Sequence, residues 1–118
     1  MVLTTEGSRT NAAVVVRVAG RVDGETAPEL ERACQQWIAP GDSNMILDLT
    51  EVPYISSAGL SSVLTVGKQI DRQGGRLLLC GLAGRLRQVF VFSGFDTLFP
   101  IFETREAALA DCLEKSRH

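Results

Sequence analysis

The sequence predicts an α/β fold, with a mixed, largely parallel central sheet of four to five strands and about four helices. Three observations lead there. Short β-branched or aliphatic runs alternate along the chain with longer segments of helical period, the order expected when helices connect parallel strands. Two of those runs, Met45 to Leu49 and Arg76 to Cys80, are almost continuously apolar, as strands covered on both faces are. Glycine and proline punctuate the joins at Gly20, Pro40-Gly41 and Gly74-Gly75.

The elements follow in order. Val2 to Thr5 is read as a short first strand, and Ala13 to Ala19, A-V-V-V-R-V-A, as a second, for its β-branched content. Gly20 ends it and G-R-V-D-G makes a turn. Thr26 with Glu29 fits a capping box, with Pro28 tolerated in the first turn. The helix it opens runs to about Ile38, burying Leu30, Ala33, Cys34 and Trp37, and stops at Pro40-Gly41. After the strand Met45 to Leu49, the period changes at Ser57. Leu60, Val63, Leu64, Gly67 and Ile70 then mark an amphipathic helix that ends at Gly74-Gly75. Its other face carries Ser61, Ser62, Thr65, Lys68 and Arg72. The strand Arg76 to Cys80 is followed by a helix over Leu82 to Phe92, with Leu86, Val89, Phe90 and Ser93 on one side. Leu98 to Phe102 reads as a last short strand, and Thr104 to Lys115 as a final helix carrying Ala107, Ala108, Leu109 and Leu113. No repeat, low-complexity tract or linker interrupts the 118 residues, so 1–118 is read as a single domain.

Composition narrows the function. At 45% apolar and 22% charged residues the chain reads as an ordinary globular protein. No apolar run approaches the roughly 20 residues that span a bilayer, and the start lacks the pattern of a signal peptide, so a cytoplasmic protein without membrane contact is expected. The three cysteines, Cys34, Cys80 and Cys112, have no C-x-x-C spacing and read as buried small hydrophobes. A net charge of −2 argues against direct nucleic-acid binding. The charge is nonetheless polarised. Residues 21 to 51 hold seven acids against Arg21 and Arg32, while residues 52 to 95 hold five bases against Asp71 alone. Solvated helix faces and a surface suited to protein partners both fit that pattern.

The stretch Y-I-S-S-A-G-L, residues 54 to 60, lies at the carboxyl end of a strand and the start of a helix, where sites concentrate in open α/β sheets. Serine hydrolase chemistry fits poorly. The run is not G-x-S-x-G, the lone histidine is His118, and Lys68 lies roughly 16 Å down the helix from Ser57. Phosphate-cradling motifs are absent, apart from G-L-A-G at 81 to 84, which has the G-x-x-G form of an RNA-binding KH loop. No His, Cys, Asp or Glu cluster has metal-ligand spacing. The residues thus give no sign of hydrolase, cofactor or metal chemistry. Ser56 or Ser57 could simply cap the helix. A hydroxyl there is also where an added phosphate is best tolerated, because free N–H groups and the positive helix end face it.

Several segments together resemble STAS-domain anti-sigma factor antagonists (anti-anti-sigma factors). They are A-G-R-V-D at 19 to 23, M-I-L-D-L-T-E-V-P-Y-I-S-S-A-G-L at 45 to 60 with the helix it opens, G-G-R-L-L-L-C-G-L at 74 to 82, and S-G-F at 93 to 95. The central segment is the specific one, and the resemblance covers nearly the whole chain. It implies a STAS fold and a bacterial regulator of transcription that works by partner switching. The unphosphorylated form would bind a GHKL-type serine kinase, the anti-sigma factor, and release its sigma factor or other target. Phosphorylation, carried onto Ser57, would abolish binding, and a PP2C-type phosphatase would reverse it. Ser56 stands where the family often has aspartate. The implied partner surface comprises Asp23, Ser56, Ser57, Ala58, Gly59, Ser61 and Thr65, with Ser62 on the same polar stripe. Two other readings stay open: a non-switching STAS scaffold or sensor module in a larger assembly, and an RNA-binding G-x-x-G domain.

Overall fold

The structure, a computed structural model, describes residues 3–38 and 44–115. Val2, the helix stop at Pro40-Gly41, Asp42 and His118 lie outside the described residues. The elements are β1 (Thr4–Arg9), β2 (Val14–Ala19), α1 (Ala27–Gln35), β3 (Met45–Glu51), α2 (Ser57–Arg72), β4 (Leu77–Cys80), α3 (Gly84–Phe92), α4 (Phe95–Leu98), β5 (Ile101–Phe102) and α5 (Arg105–Lys115). The strands form one sheet in the order β1-β2-β3-β4-β5. β1 and β2 pair antiparallel, and every later pairing is parallel. The expected mixed, largely parallel sheet is what forms.

Side chains alternate across the sheet with the period of two that strands impose. Val14, Val16, Val18, Met45, Leu47, Leu49, Leu77 and Leu79 face the larger core, shared with Leu30 and Cys34 of α1, Val63, Val66 and Ile70 of α2, and Leu86 and Phe90 of α3. Val15, Ile46, Leu78 and Cys80 face the other way, where Ala108 and Cys112 of α5 cover them. Helices on both faces are the reason β3 and β4 read as almost continuous apolar runs. Asp48 interrupts that run on the α5 side, 6% exposed. Its carboxylate accepts from the Thr50 hydroxyl (2.6 Å) and N–H (3.0 Å) and from Arg105 Nη2 (2.9 Å) of α5, so the buried charge is paired and bonded.

The structure corrects the expected elements in several places. The first strand runs over Thr4–Arg9, later than Val2 to Thr5, because it is an exposed edge strand whose place is set by pairing from Thr4 with Ala19 to Arg9 with Val14. The capping box at Thr26 does not form. Thr26 has helical dihedrals, and its hydroxyl donates to the Arg21 carbonyl (2.8 Å) and accepts from the Asp23 N–H (2.9 Å). α1 ends at Gln35, short of Ile38, and Trp37 follows it as a half-buried residue packed on the core. Ser62 is not on the solvent face of α2. It is 3% exposed, and its hydroxyl donates to Glu31 Oε2 (2.8 Å) of α1. The last strand shrinks to Ile101–Phe102, because Gly94 turns the chain at φ 80° and lets Phe95 pack edge-on against Phe90 in the short α4.

Candidate functional site

Two connections meet at the carboxyl ends of β2 and β3. Val22, in the turn after β2, forms an isolated parallel bridge with Ile55, in the join after β3. The Val22 N–H donates to the Tyr54 carbonyl (3.0 Å), and the Ser56 N–H donates to the Val22 carbonyl (2.8 Å). The side chains of Val22 and Ile55 are buried. The G-R-V-D turn and the serine join are therefore one structure, and Asp23 follows directly on the bridged Val22.

Gly59 seals the joint. A Cβ at this buried position would lie 2.6 Å from Ile55 Cγ1 and 2.7 Å from Val22 Cγ1, closer than real Cβ contacts come. The glycine thus lets the first turn of α2 sit directly on the Val22–Ile55 bridge. The small residues of S-S-A-G are partly a packing requirement.

The two serines divide their work. Ser56 is the N-cap: it has extended backbone, and its hydroxyl accepts from the Gly59 N–H (3.2 Å). Ser57 is the first residue of α2 and is exposed, and its hydroxyl makes no hydrogen bond among the described residues. Ala58 and Ser61 are exposed beside it. Thr65, a further turn along, is exposed too and donates its hydroxyl back to the Ser61 carbonyl (3.0 Å).

Asp23 has a structural task. Its carboxylate accepts from the Glu25 N–H (3.0 Å) and from the Thr26 N–H (3.2 Å), the second being the donor that Glu29 would take in a capping box. These backbone bonds, from Thr26 and then Glu25, hold its carboxyl below the ordinary range. Asp23 is thus a locked, half-buried carboxylate at the edge of the site.

Two residues not expected in the site belong to it. The Arg21 guanidinium stacks 4.3 Å from the Tyr54 ring, and Tyr54 is 41% exposed. Both sit on the bridged loops. The alternation around buried Ile55 and Val22 was the signal that their preceding neighbours point outward.

Other chemistry finds little support. Burial pushes the Cys34 and Cys80 thiols up to about 12, so neither is a ready nucleophile. Gly81 of the G-x-x-G run has φ 80° and abuts Thr50, a backbone reason for a glycine between β4 and α3. Among the described residues no group of three or more His, Cys, Asp or Glu could hold a metal ion, and no helix is long and apolar enough to cross a membrane.

The chain is similar to known proteins of one family. The family model of the STAS domain matches residues 4–108. A putative anti-sigma factor antagonist, BtrV, of Bordetella bronchiseptica is 40% identical over 97 residues, 82% of this chain and 84% of that protein. An anti-sigma-B factor antagonist of Listeria monocytogenes is 32% identical over 84 residues, covering 71% of this chain and 74% of its own. Among solved structures, an anti-sigma factor antagonist from Mycobacterium paratuberculosis superposes with a TM-score of 0.80 at 25% identity, covering 98% of this chain and 95% of that one.

Proposed function

This chain belongs to the STAS domain family, and on that footing we propose that it is an anti-sigma factor antagonist switched by phosphorylation of Ser57. Its relatives' names supply the class of partner, an anti-sigma factor. The finer reading is that this partner is a GHKL-type serine kinase that binds the unmodified form, and that a PP2C-type phosphatase restores that form. The observation that carries it is the division between the serines. Ser56 is spent on the cap, while Ser57 offers an exposed hydroxyl from a rigid helix end.

The physics of the switch favours an effect on binding. A phosphate adds about −1.5 to −2 charge, and the amino end of α2 would favour it by roughly 0.3–2 kcal/mol, so the fold tolerates it. Across an interface shaped for a neutral hydroxyl the same group costs several kcal/mol. Moving from almost all bound to almost all free takes about 5.5 kcal/mol of differential affinity.

The test is direct. With its kinase partner and ATP the protein should gain one phosphate, and Ser57→Ala should gain none. Fragmentation mass spectrometry that places the phosphate on Ser56, with Ser57 bare, would refute the assignment.

A further inference from the structure

The stripe on α2 does not end at Thr65. Lys68 lies about 20° around the helix from Ser57 and roughly 16 Å along it. At Lys68 the stripe meets a groove of about 280 Å³, walled by Leu64 and Gly67 of α2 and by Leu98, Phe99 and Pro100. Leu98 is 57% exposed. The groove has a local cause. A Cβ on Gly67 would stand 2.4 Å from the Phe99 ring, so the glycine lets Phe99 lie against the helix, with the exposed Leu98 beside it at the mouth.

Size decides what suits it. Pockets that enclose small ligands usually hold about 300–1,000 Å³ and bury most of the ligand. At the bottom of that range and open along one side, this groove suits a single large side chain better than an enclosed ligand. Charge points to its neighbour. Lys68, on the rim, and Arg72, one turn further along α2, make no ion pair among the described residues, whereas Arg76, the other rim cation, is held by Asp111 (3.0 Å). Asp71 shares the rim with Lys68 but is not paired with it. The reach fits as well. A standard interface covers about 800 Å² per partner, a disc of roughly 16 Å radius, so one footprint centred midway down α2 holds both Ser57 and the groove.

We propose that this groove is a socket for a large apolar side chain of the protein that reads Ser57, with a carboxylate of that protein meeting Lys68 and Arg72. The inference rests on the proposed function and adds a second contact point to it. Ser57 sets whether the partner binds, and the socket helps set which partner binds, since an apolar anchor in a fitted pocket dominates many interfaces.

The experiment titrates the serine-kinase anti-sigma factor calorimetrically into wild type, Leu98→Asp, Lys68→Glu and Ser57→Glu. Both Leu98 and Lys68 are exposed, and thermal midpoints close to wild type verify that the variants fold. Leu98→Asp should weaken binding about tenfold or more. Lys68→Glu should weaken it several-fold, with a loss that shrinks as salt is raised. Affinities of both variants within about twofold of wild type, the ordinary scatter of surface changes, would overturn the socket. If Ser57→Glu still releases the partner in that case, the switch stands without it. No binding by the wild type would overturn the proposed function and the socket together.

Discussion

Gly59→Ala is the substitution that most sharply tests how the site is built. In most helices this change stabilises, by up to about 1 kcal/mol, because alanine has the higher helix propensity. Here the added methyl would stand 2.6 Å from Ile55 Cγ1 and 2.7 Å from Val22 Cγ1. Val22 is 0% exposed and Ile55 4%, and both are pinned by the backbone bonds of the bridge, so neither can swing aside. Overpacking of this kind costs about 1–3 kcal/mol. With two buried residues obstructing the methyl, the cost falls in the upper part of that range, about 2–3 kcal/mol; less the propensity gain, the net is about 1–2 kcal/mol of destabilisation, or a fall in thermal midpoint of roughly 4–8 °C. Val22→Ala removes one of the two obstructing atoms. The double variant should therefore lose less stability than the sum of the single ones, by roughly 0.5–1.5 kcal/mol. Urea unfolding of the four proteins measures this cycle. A Gly59→Ala protein as stable as wild type, or more so, would refute the close approach of α2 to the bridge.

Three further outcomes are expected. Ser57→Glu should keep its thermal midpoint within a few degrees of wild type, since it adds charge at an exposed helix start; a molten protein by near-UV circular dichroism would mean that the switch acts by unfolding. Thr65→Arg should weaken partner binding about tenfold at unchanged stability, because the hydroxyl it removes only bonds back to Ser61; unaltered affinity would take Thr65 out of the interface. Asp48→Asn should cost about 1–3 kcal/mol at neutral pH, less than for a fully buried pair because Arg105 keeps contact with water. Asp48 also sets an acid limb. Burial alone would raise its carboxyl, but the bonds from Thr50 and Arg105 outweigh burial and hold it below the ordinary range. Its contribution is therefore complete above about pH 4 and is lost as pH falls through the folded value. Urea midpoints of wild type and Asp48→Asn should converge as pH drops from 7 to 3, and parallel curves would contradict the assignment.

Much of this was legible in the sequence, for physical reasons that differ by element. β3 and α2 announce themselves because one is buried on both faces and the other on a single stripe, so period alone separates them. The meeting of the Asp23 turn with the serine join was legible only as far as both follow strands of one sheet; the Val22–Ile55 bridge that joins them is a non-local pairing. Thr26 misled because it has the residue type and spacing of a capping box, while tertiary bonds to Arg21 and Asp23 claimed its hydroxyl. Ser62 misled in the same way. Its helical position borders the polar stripe, and only the approach of α1 with Glu31 turns it into a buried contact. β1 has no apolar alternation to read, since its side chains are mostly exposed and pairing alone places it.

The central claim is that one hydroxyl, on Ser57, decides whether the protein holds its partner. Its most direct test is a calorimetric titration of the unmodified and the Ser57-phosphorylated chain against the same serine-kinase anti-sigma factor. The unmodified form should bind, and the phosphorylated form should bind weaker by several kcal/mol, approaching the roughly 5.5 kcal/mol that full switching requires. Equal affinities would contradict switching at Ser57.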